Sequence, residues 1–367
     1  MNAFAGSRVQ NDALGEVQRP RLPELWLGPV RIGFPVVQAA LSGYSDLAMR
    51  VIARRLGASY ALCEVVLDQF VLQRSNKARR LWAQVAEEEH PVGGQLMGAE
   101  PEQFAQAARE LVRAGFDVVD INFGCPVKKV LGRCRGGYHL GQPEVALEIV
   151  ARVRDAVPPQ VPVTVKMRRG IDDSPESEEK FFRILDGAFA LGVAAVTVHG
   201  RTVKQRYEGP ASWEFLRKVK QHAGRRTVLG SGDLFTARDC LEMIRTTGVD
   251  GVTVARGAIG NPWIFQQVRA LARGEPLPPP PSLHEQRRVI QEHFRLAAGI
   301  YGAKHACRQM RKFCIKYSKL HPESEAVRQA FVGLSRLEEL PGILERFYAE
   351  DRPGRYPPAG PEPNHGR

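Results

Sequence analysis

Zinc-type spacing is missing from this chain. Its six cysteines, at 63, 125, 134, 240, 307 and 314, form no Cys-x-x-Cys pair and no Cys/His pattern of the kind that holds zinc. They are too sparse for a disulfide framework, so a reducing cytoplasm is the expected setting. No stretch approaches the roughly 18 uncharged apolar residues of a membrane span, and residues 1–28 lack the apolar core of a signal peptide. No Gly-x-Gly-x-x-Gly follows a strand-like run, which argues against a dinucleotide-binding fold. No internal repeat is evident. What the chain does have is positive charge, +12 net over 367 residues, and 43% hydrophobic content, enough for a sizeable core. That charge balance favours a polyanionic partner, nucleic acid or an anionic membrane, over a merely basic soluble enzyme.

Short β-branched apolar runs alternate with longer amphipathic segments. Strands are predicted near 33–38, 59–65, 92–97, 117–122, 161–167, 193–198, 226–230 and 249–254, and helices at 101–115, 142–156, 177–191 and 235–247. Continuous apolar strands separated by helices imply parallel pairing with both faces covered. Eight such units predict a (β/α)8 TIM barrel, with a doubly wound open sheet as the other architecture. The Pro-rich stretch 274–282 reads as a linker. Residues 283–350 have helical periodicity and no strand signal. The expected organisation is a flexible arm at 1–28, a barrel at 29–273, the linker, a small all-helical C-terminal domain at 283–350 and a disordered tail at 351–367.

The most informative stretch is Asp120-Ile-Asn-Phe-Gly-Cys-Pro-Val-Lys-Lys129. An apolar run ends at Asn122, and Cys125 follows on a loop pinned by Pro126, with Lys128 and Lys129 just beyond. The loop past a strand's C-terminal end is where α/β enzymes place their chemistry. The bland alternative, a small Cys plugging a core gap, needs neither the Gly-Cys-Pro turn nor the lysines.

Polar or flexible groups stand at the end of every predicted strand: Ser42 to Asp46, Glu64, Gln95, Asn122, Lys166, His199, Gly230-Ser231-Gly232-Asp233 and Ala255-Arg256-Gly257. The last two loops offer backbone N–H groups and one cation, a common phosphate cradle in barrels. Gln95, Asn122, Lys166 and His199 would surround a flat heterocycle, and Lys166 suits a negative charge on it. A reduced flavin is such a ring.

Taken together, Asp120–Lys129, Thr197-Val-His-Gly-Arg-Thr202, Gly232-Asp233 and Ala255-Arg-Gly-Ala-Ile-Gly-Asn-Pro-Trp-Ile-Phe265 resemble the signature blocks of tRNA-dihydrouridine synthases, most of all the bacterial B-type branch. The resemblance covers about residues 30–350. It implies an FMN-containing barrel and a helical tRNA-binding domain, with NADPH-dependent reduction of the C5=C6 bond of particular uridines in tRNA. It makes Cys125 the catalytic acid. It makes Gln95, Asn122, Lys166, His199, Ser231, Gly232, Asp233, Arg256 and Gly257 the cofactor-binding set. The chain departs from the family pattern at Ala40 and Leu41, at Ser231, and at Arg135-Gly136-Gly137-Tyr138-His139. Lys128 and Lys129 either lower the Cys125 pKa or face tRNA phosphates.

Residues 304–319 carry Lys304, Arg308, Arg311, Lys312, Lys316 and Lys319 and no acid. Steps of four along 304-308-312-316 place most of these on one helical face, which suits a phosphate backbone. No protein partner or metal is expected, and a monomer is. Two other readings stay open: a flavin oxidoreductase acting on a free pyrimidine, and a non-catalytic RNA-binding module that has lost flavin.

Overall fold

A computed structural model describes residues 22–73, 75, 82–358 and 360. The predicted apolar runs form parallel strands: β3 (Val36–Gln38), β4 (Ala61–Leu62) continued by β5 (Val66–Leu67), β6 (Val92–Met97), β7 (Val118–Phe123), β8 (Val163–Arg168), β9 (Ala195–His199), β10 (Val228–Ser231) and β11 (Gly251–Val254). They hydrogen-bond in the order β4-β3-β11-β10-β9-β8-β7-β6-β5, and pairing of β4 with β6 closes the ring. With β5 continuing β4, this is the closed eight-stave barrel, not the open sheet.

Alternation along each strand sorts the side chains. On β7, Val119, Ile121 and Phe123 face outward into the large core beneath the helices. Val118 faces inward with Val37, Tyr60, Leu62, Ala195 and Leu229, and Asp120 and Asn122 follow it at steps of two along the strand. The predicted helices are present as Pro101–Arg113, Pro143–Ala156, Pro175–Ala190 and Ala237–Thr247. Helices Leu47–Arg55, Trp213–Ala223 and Ile264–Ala272 complete the outer ring among the described residues.

The chain ahead of the barrel is more ordered than the expected arm. Strands β1 (Leu25–Leu27) and β2 (Val30–Gly33) form an antiparallel hairpin. Leu25, Leu27 and Ile32 pack with the inward-facing apolar residues and close the N-terminal end of the barrel. The arm boundary at 28 is therefore wrong. An alternating pattern as short as Leu-Trp-Leu is too brief to signal a strand by periodicity. Residues 1–21 of the expected arm lie outside the described residues.

The C-terminal domain comprises Leu283–Tyr301, Ala303–Tyr317, Ser324–Gly333 and Leu340–Tyr348. A Ser282–Glu285 capping box starts it. Gly302, at φ +75°, separates its two long helices. Contacts that bind the domain to the barrel include the Tyr301 Oη donation to Asp46 Oδ2 at 3.0 Å, the Arg55–Glu292 ion pair, Tyr44 edge-on to Phe313 at 5.3 Å, and Trp263 against Tyr317 at 6.3 Å. The expected disordered tail also needs correction. The Leu283 N–H donates to the Arg352 carbonyl at 2.9 Å, the Arg355 N–H to the Leu320 carbonyl at 2.9 Å, and Tyr356 Oη to the Pro278 carbonyl at 2.6 Å. Residues 352–356 are thus a strap tying the linker to the helical domain. Pro and Gly content concealed it, because its hydrogen bonds are long-range. Residue 359 and residues 361–367 lie outside the described residues.

Among the described residues no helix is long and apolar enough to cross a membrane, and no group of three or more His, Cys, Asp and Glu could hold a metal ion.

Candidate active site

Strand register brings the expected residues together. Gln95 is level with Asp120, Asn122 with Lys166, and His199 with both Arg168 and Ser231. They converge on a cavity of about 370 Å³ at the C-terminal mouth of the barrel. Gln95, Asn122, Cys125, Lys166, His199, Ser231, Gly232, Asp233 and Arg256 all line it.

An amide network fixes one wall. Gln95 Nε2 donates to Asp120 Oδ2 at 2.7 Å, and Thr164 Oγ1 donates to Asp120 Oδ1 at 2.5 Å. Gln95 Oε1 accepts from Asn122 Nδ2 at 2.8 Å. Asn122 Oδ1 in turn accepts the backbone N–H groups of Gly124 at 2.9 Å and Cys125 at 3.1 Å. Asn122 therefore shapes the cysteine loop as an Asx turn does.

The cysteine loop is held from below as well. Arg168 is buried, and its Nε donates to the Gly124 carbonyl at 3.0 Å while one terminal nitrogen donates to the Thr202 and Arg206 carbonyls at 2.8 and 2.6 Å. The Gly137 N–H donates to the Cys125 carbonyl at 3.1 Å. A Cβ at Gly136 would come within 2.8 Å of Cys125 Cβ, so this stretch must be glycine for the loop to close. Burial pushes the Cys125 thiol above its ordinary pKa, opposed by the Val127 N–H and the Arg168 charge. Burial thus favours the protonated thiol over the thiolate. Lys128 and Lys129 are exposed and are not among the groups that shift it.

The opposite wall is cationic. Burial, and then the nearby Arg168, bring Lys166 down to about 8, with Asp120 opposing. His199 is driven well below its ordinary pKa by burial and then by Lys166, Arg168, Arg201 and Arg256. Its Nδ1 accepts the Arg201 N–H at 3.1 Å. The ring is therefore neutral with its proton on Nε2, ready to donate.

Arg201, Asp233 and Arg256 form the far end. Arg201 donates to both Asp233 oxygens at 2.8 and 2.7 Å, and Arg256 approaches Asp233 Oδ1 at 3.5 Å. Asp233 also accepts the Ala211 N–H at 2.7 Å, so it acts as a bracket that aims Arg256. The Arg256 guanidinium lies over Tyr207 at 5.0 Å and Phe235 at 5.1 Å. Gly232, at φ +122°, sits where a Cβ would come within 2.6 Å of Ala211 Cβ. Gly257 does not line the cavity. A Cβ there would overlap the Leu234 carbonyl oxygen, so Gly257 lets the Arg256 turn press onto the neighbouring loop.

Sequence reasoning missed Arg168 and Tyr207 as site residues. Arg168 carried a signal, because it lies two residues past Lys166 on one strand and so on the same face. Tyr207 sits in an irregular loop with no periodicity to betray it. The altered first loop is closed on itself: the Leu41 N–H donates to Ser45 Oγ at 2.6 Å, and Ser45 Oγ donates to the Leu41 carbonyl at 3.1 Å.

The basic stripe is split. Lys304 and Arg308 are exposed. Arg311 Nε donates to the Leu334 carbonyl at 2.9 Å. Lys312 is half-buried at the domain junction, donating to Gln309 Oε1 at 2.7 Å over the Tyr44 ring at 5.1 Å. A helix turns 40° further with each step of four, so the row drifts off one face.

The profile of the Dihydrouridine synthase (Dus) family matches residues 37–349. A "Probable tRNA-dihydrouridine synthase" of Mycobacterium tuberculosis (strain ATCC 25618 / H37Rv) is 36% identical over 334 residues, 89% of this chain and 85% of that protein. The "tRNA-dihydrouridine synthase B" of Xanthomonas axonopodis pv. citri (strain 306) is 34% identical over 334 residues, 91% of this chain and 98% of that protein. The fold is shared with morphinone reductase, solved in complex with tetrahydroNAD, at a TM-score of 0.53 and 15% identity over 71% of this chain and 93% of that one. Matched along almost its whole barrel and helical domain, the chain belongs to the dihydrouridine synthase family of tRNA-modifying oxidoreductases, with relatives in the B-type branch.

Proposed function

We propose that this protein uses FMN and NADPH to reduce the C5=C6 bond of specific tRNA uridines. The observation that carries the reading is a single cavity with a protonated thiol on one wall and Lys166 with neutral His199 on the other.

The residues fit a flavin. Lys166 has no hydrogen-bond or ion-pair partner among the described residues, and neither does buried Thr253 Oγ1, which lines the same cavity. Lys166 and the His199 Nε2–H would face the pyrimidine side of the ring, where a reduced flavin is anionic. Gly232 and Arg256 would take the phosphate. When bound and reduced by NADPH, FMN would supply the hydride that adds to uracil C6.

The chain's own residues do the rest. Addition at C6 leaves a pair of electrons at C5, and Cys125 delivers its thiol proton there, becoming a thiolate that solvent reprotonates. Asn122 holds the loop so that this proton is aimed. Lys304 and Arg308, with Lys128 and Lys129, would contact tRNA phosphates. The target base must leave its stack to reach the cavity.

The test is to incubate unmodified tRNA with the protein, FMN and NADPH, then digest it and analyse it by mass spectrometry. A gain of two hydrogens at a defined uridine is expected. No gain from a protein that holds FMN would overturn the substrate assignment in favour of a free pyrimidine.

A further inference from the structure

A second cavity of about 510 Å³ lies beside the first. The two share Val65 and run along opposite sides of the same loop, with Ser42 and Tyr44 lining the catalytic cavity and Gly43, Ser45 and Asp46 lining the other. Its walls come from three places. The barrel contributes Glu64 and Gln69, the segment after the cysteine loop contributes Arg133 and Arg135, and the helical domain contributes Tyr301 and Gln309.

Its chemistry is not that of a packing defect. Arg135 is only 7% exposed, yet its Nε has no hydrogen-bond partner among the described residues. An orphaned buried donor costs free energy and calls for an acceptor. Arg133 is an exposed cation at the rim. Glu64 is held above its ordinary pKa by burial, and Gln309 spends its carbonyl oxygen on Lys312, leaving its amide N–H groups to donate. Two guanidiniums for a phosphate, with a carboxyl and amides for a base edge, are what a nucleotide needs. The volume is that of a ligand pocket.

We propose that this cavity is a nucleotide subsite that takes the tRNA residue next to the target uridine, once that uridine has entered the catalytic cavity. The inference rests on the reading of the chain as a tRNA uridine reductase. The position favours RNA over the reductant: the cavity lies between the active site and the helix bearing exposed Arg308, one residue from Gln309. Seating the neighbour here would hold the strand open at the flipped base and give the enzyme a readout of sequence beside its target.

The experiment uses full-length holoenzyme and a tRNA series in which the nucleotides flanking each uridine in turn are abasic. Affinity and turnover are both read, for wild type, Arg135→Gln and Gln309→Ala. In wild type, one flanking abasic site weakens tRNA binding by about tenfold. In either variant that penalty shrinks to about twofold, because base and cavity are coupled. The KM for NADPH in flavin reduction without tRNA stays unchanged. The inference is overturned if neither flanking position matters, if the penalty persists in both variants, or if the NADPH KM moves instead. Coupling seen in affinity from a protein that makes no dihydrouridine would sink the activity and leave the subsite standing.

Discussion

Asn122 and Cys125 are joined by a 3.1 Å hydrogen bond from the Cys125 backbone N–H to the Asn122 side-chain oxygen. The same side chain donates to Gln95, which holds Asp120. The thiol is thereby tied to the deepest polar layer of the barrel through three side chains.

Removing the thiol tests its role directly. Cys125→Ala should keep FMN and keep oxidising NADPH, while dihydrouridine formation falls by about 10²-fold to 10⁴-fold. Near-normal modification by this variant would rule out the acid.

Asn122→Ala leaves the Gly124 and Cys125 N–H groups without their acceptor and Gln95 without its donor. Unfolding by urea should show a loss of about 1–3 kcal/mol. Turnover should drop with little change in tRNA affinity. Unchanged stability and turnover would mean the network does not hold the loop.

His199 is kept neutral in the fold, so its folded pKa lies below its unfolded one. Below about pH 6.5 the unfolded chain binds a proton that the folded one refuses. Stability is then lost as pH falls, by up to about 1.4 kcal/mol per pH unit for this group. His199→Gln should flatten that acid limb in urea titrations of the flavin-free protein between pH 5 and 7. Lys166, also depressed, acts with the same sign in a higher window: stability rises from about pH 8 upward as the folded lysine sheds its proton before the unfolded one. An acid limb unaltered by His199→Gln, or an alkaline limb unaltered by Lys166→Met, would contradict these assignments.

Lys304 and Arg308 differ from Arg311 in what charge reversal should do. Arg308→Glu or Lys304→Glu should weaken tRNA binding and lower the salt slope by about 0.7–0.9 per lost contact, with the melting temperature unchanged. Arg311→Glu should also cost stability, since its bond to the Leu334 carbonyl is lost. Equal melting temperatures across all three would show that this bond is idle.

Gly257→Ala should weaken retention of FMN although Gly257 itself does not line the cavity. The added Cβ meets the Leu234 carbonyl and displaces the turn that carries Arg256. Absorbance of protein-bound flavin after dialysis reads this out. Full retention would mean the turn can shift without cost.

The strands were legible because each is a short, nearly continuous apolar run, and closure followed from their number. The polar ring was legible because it recurs at each strand's end. What stayed hidden depends on contacts between distant residues. The Asp233 carboxylate is spent on Arg201 and Ala211, and nothing in Ser-Gly-Asp announces it. Lys312 looks like its neighbours in the basic stripe until the barrel loop beside Tyr44 is placed against it. The hairpin at 25–33 and the strap at 352–356 are ordered by what they touch, which local pattern does not encode.

The hairpin that plugs the barrel floor also constrains the order of events in each turnover. With Leu25, Leu27 and Ile32 packed into the N-terminal end, the cavity is left to open at the C-terminal mouth of the barrel among the described residues. If the cavity of about 370 Å³ holds a flavin as proposed, reductant and target base would have to enter in turn by that one mouth. The kinetics should therefore be ping-pong, with parallel lines in double-reciprocal plots. Excess NADPH should compete with tRNA for the reduced enzyme.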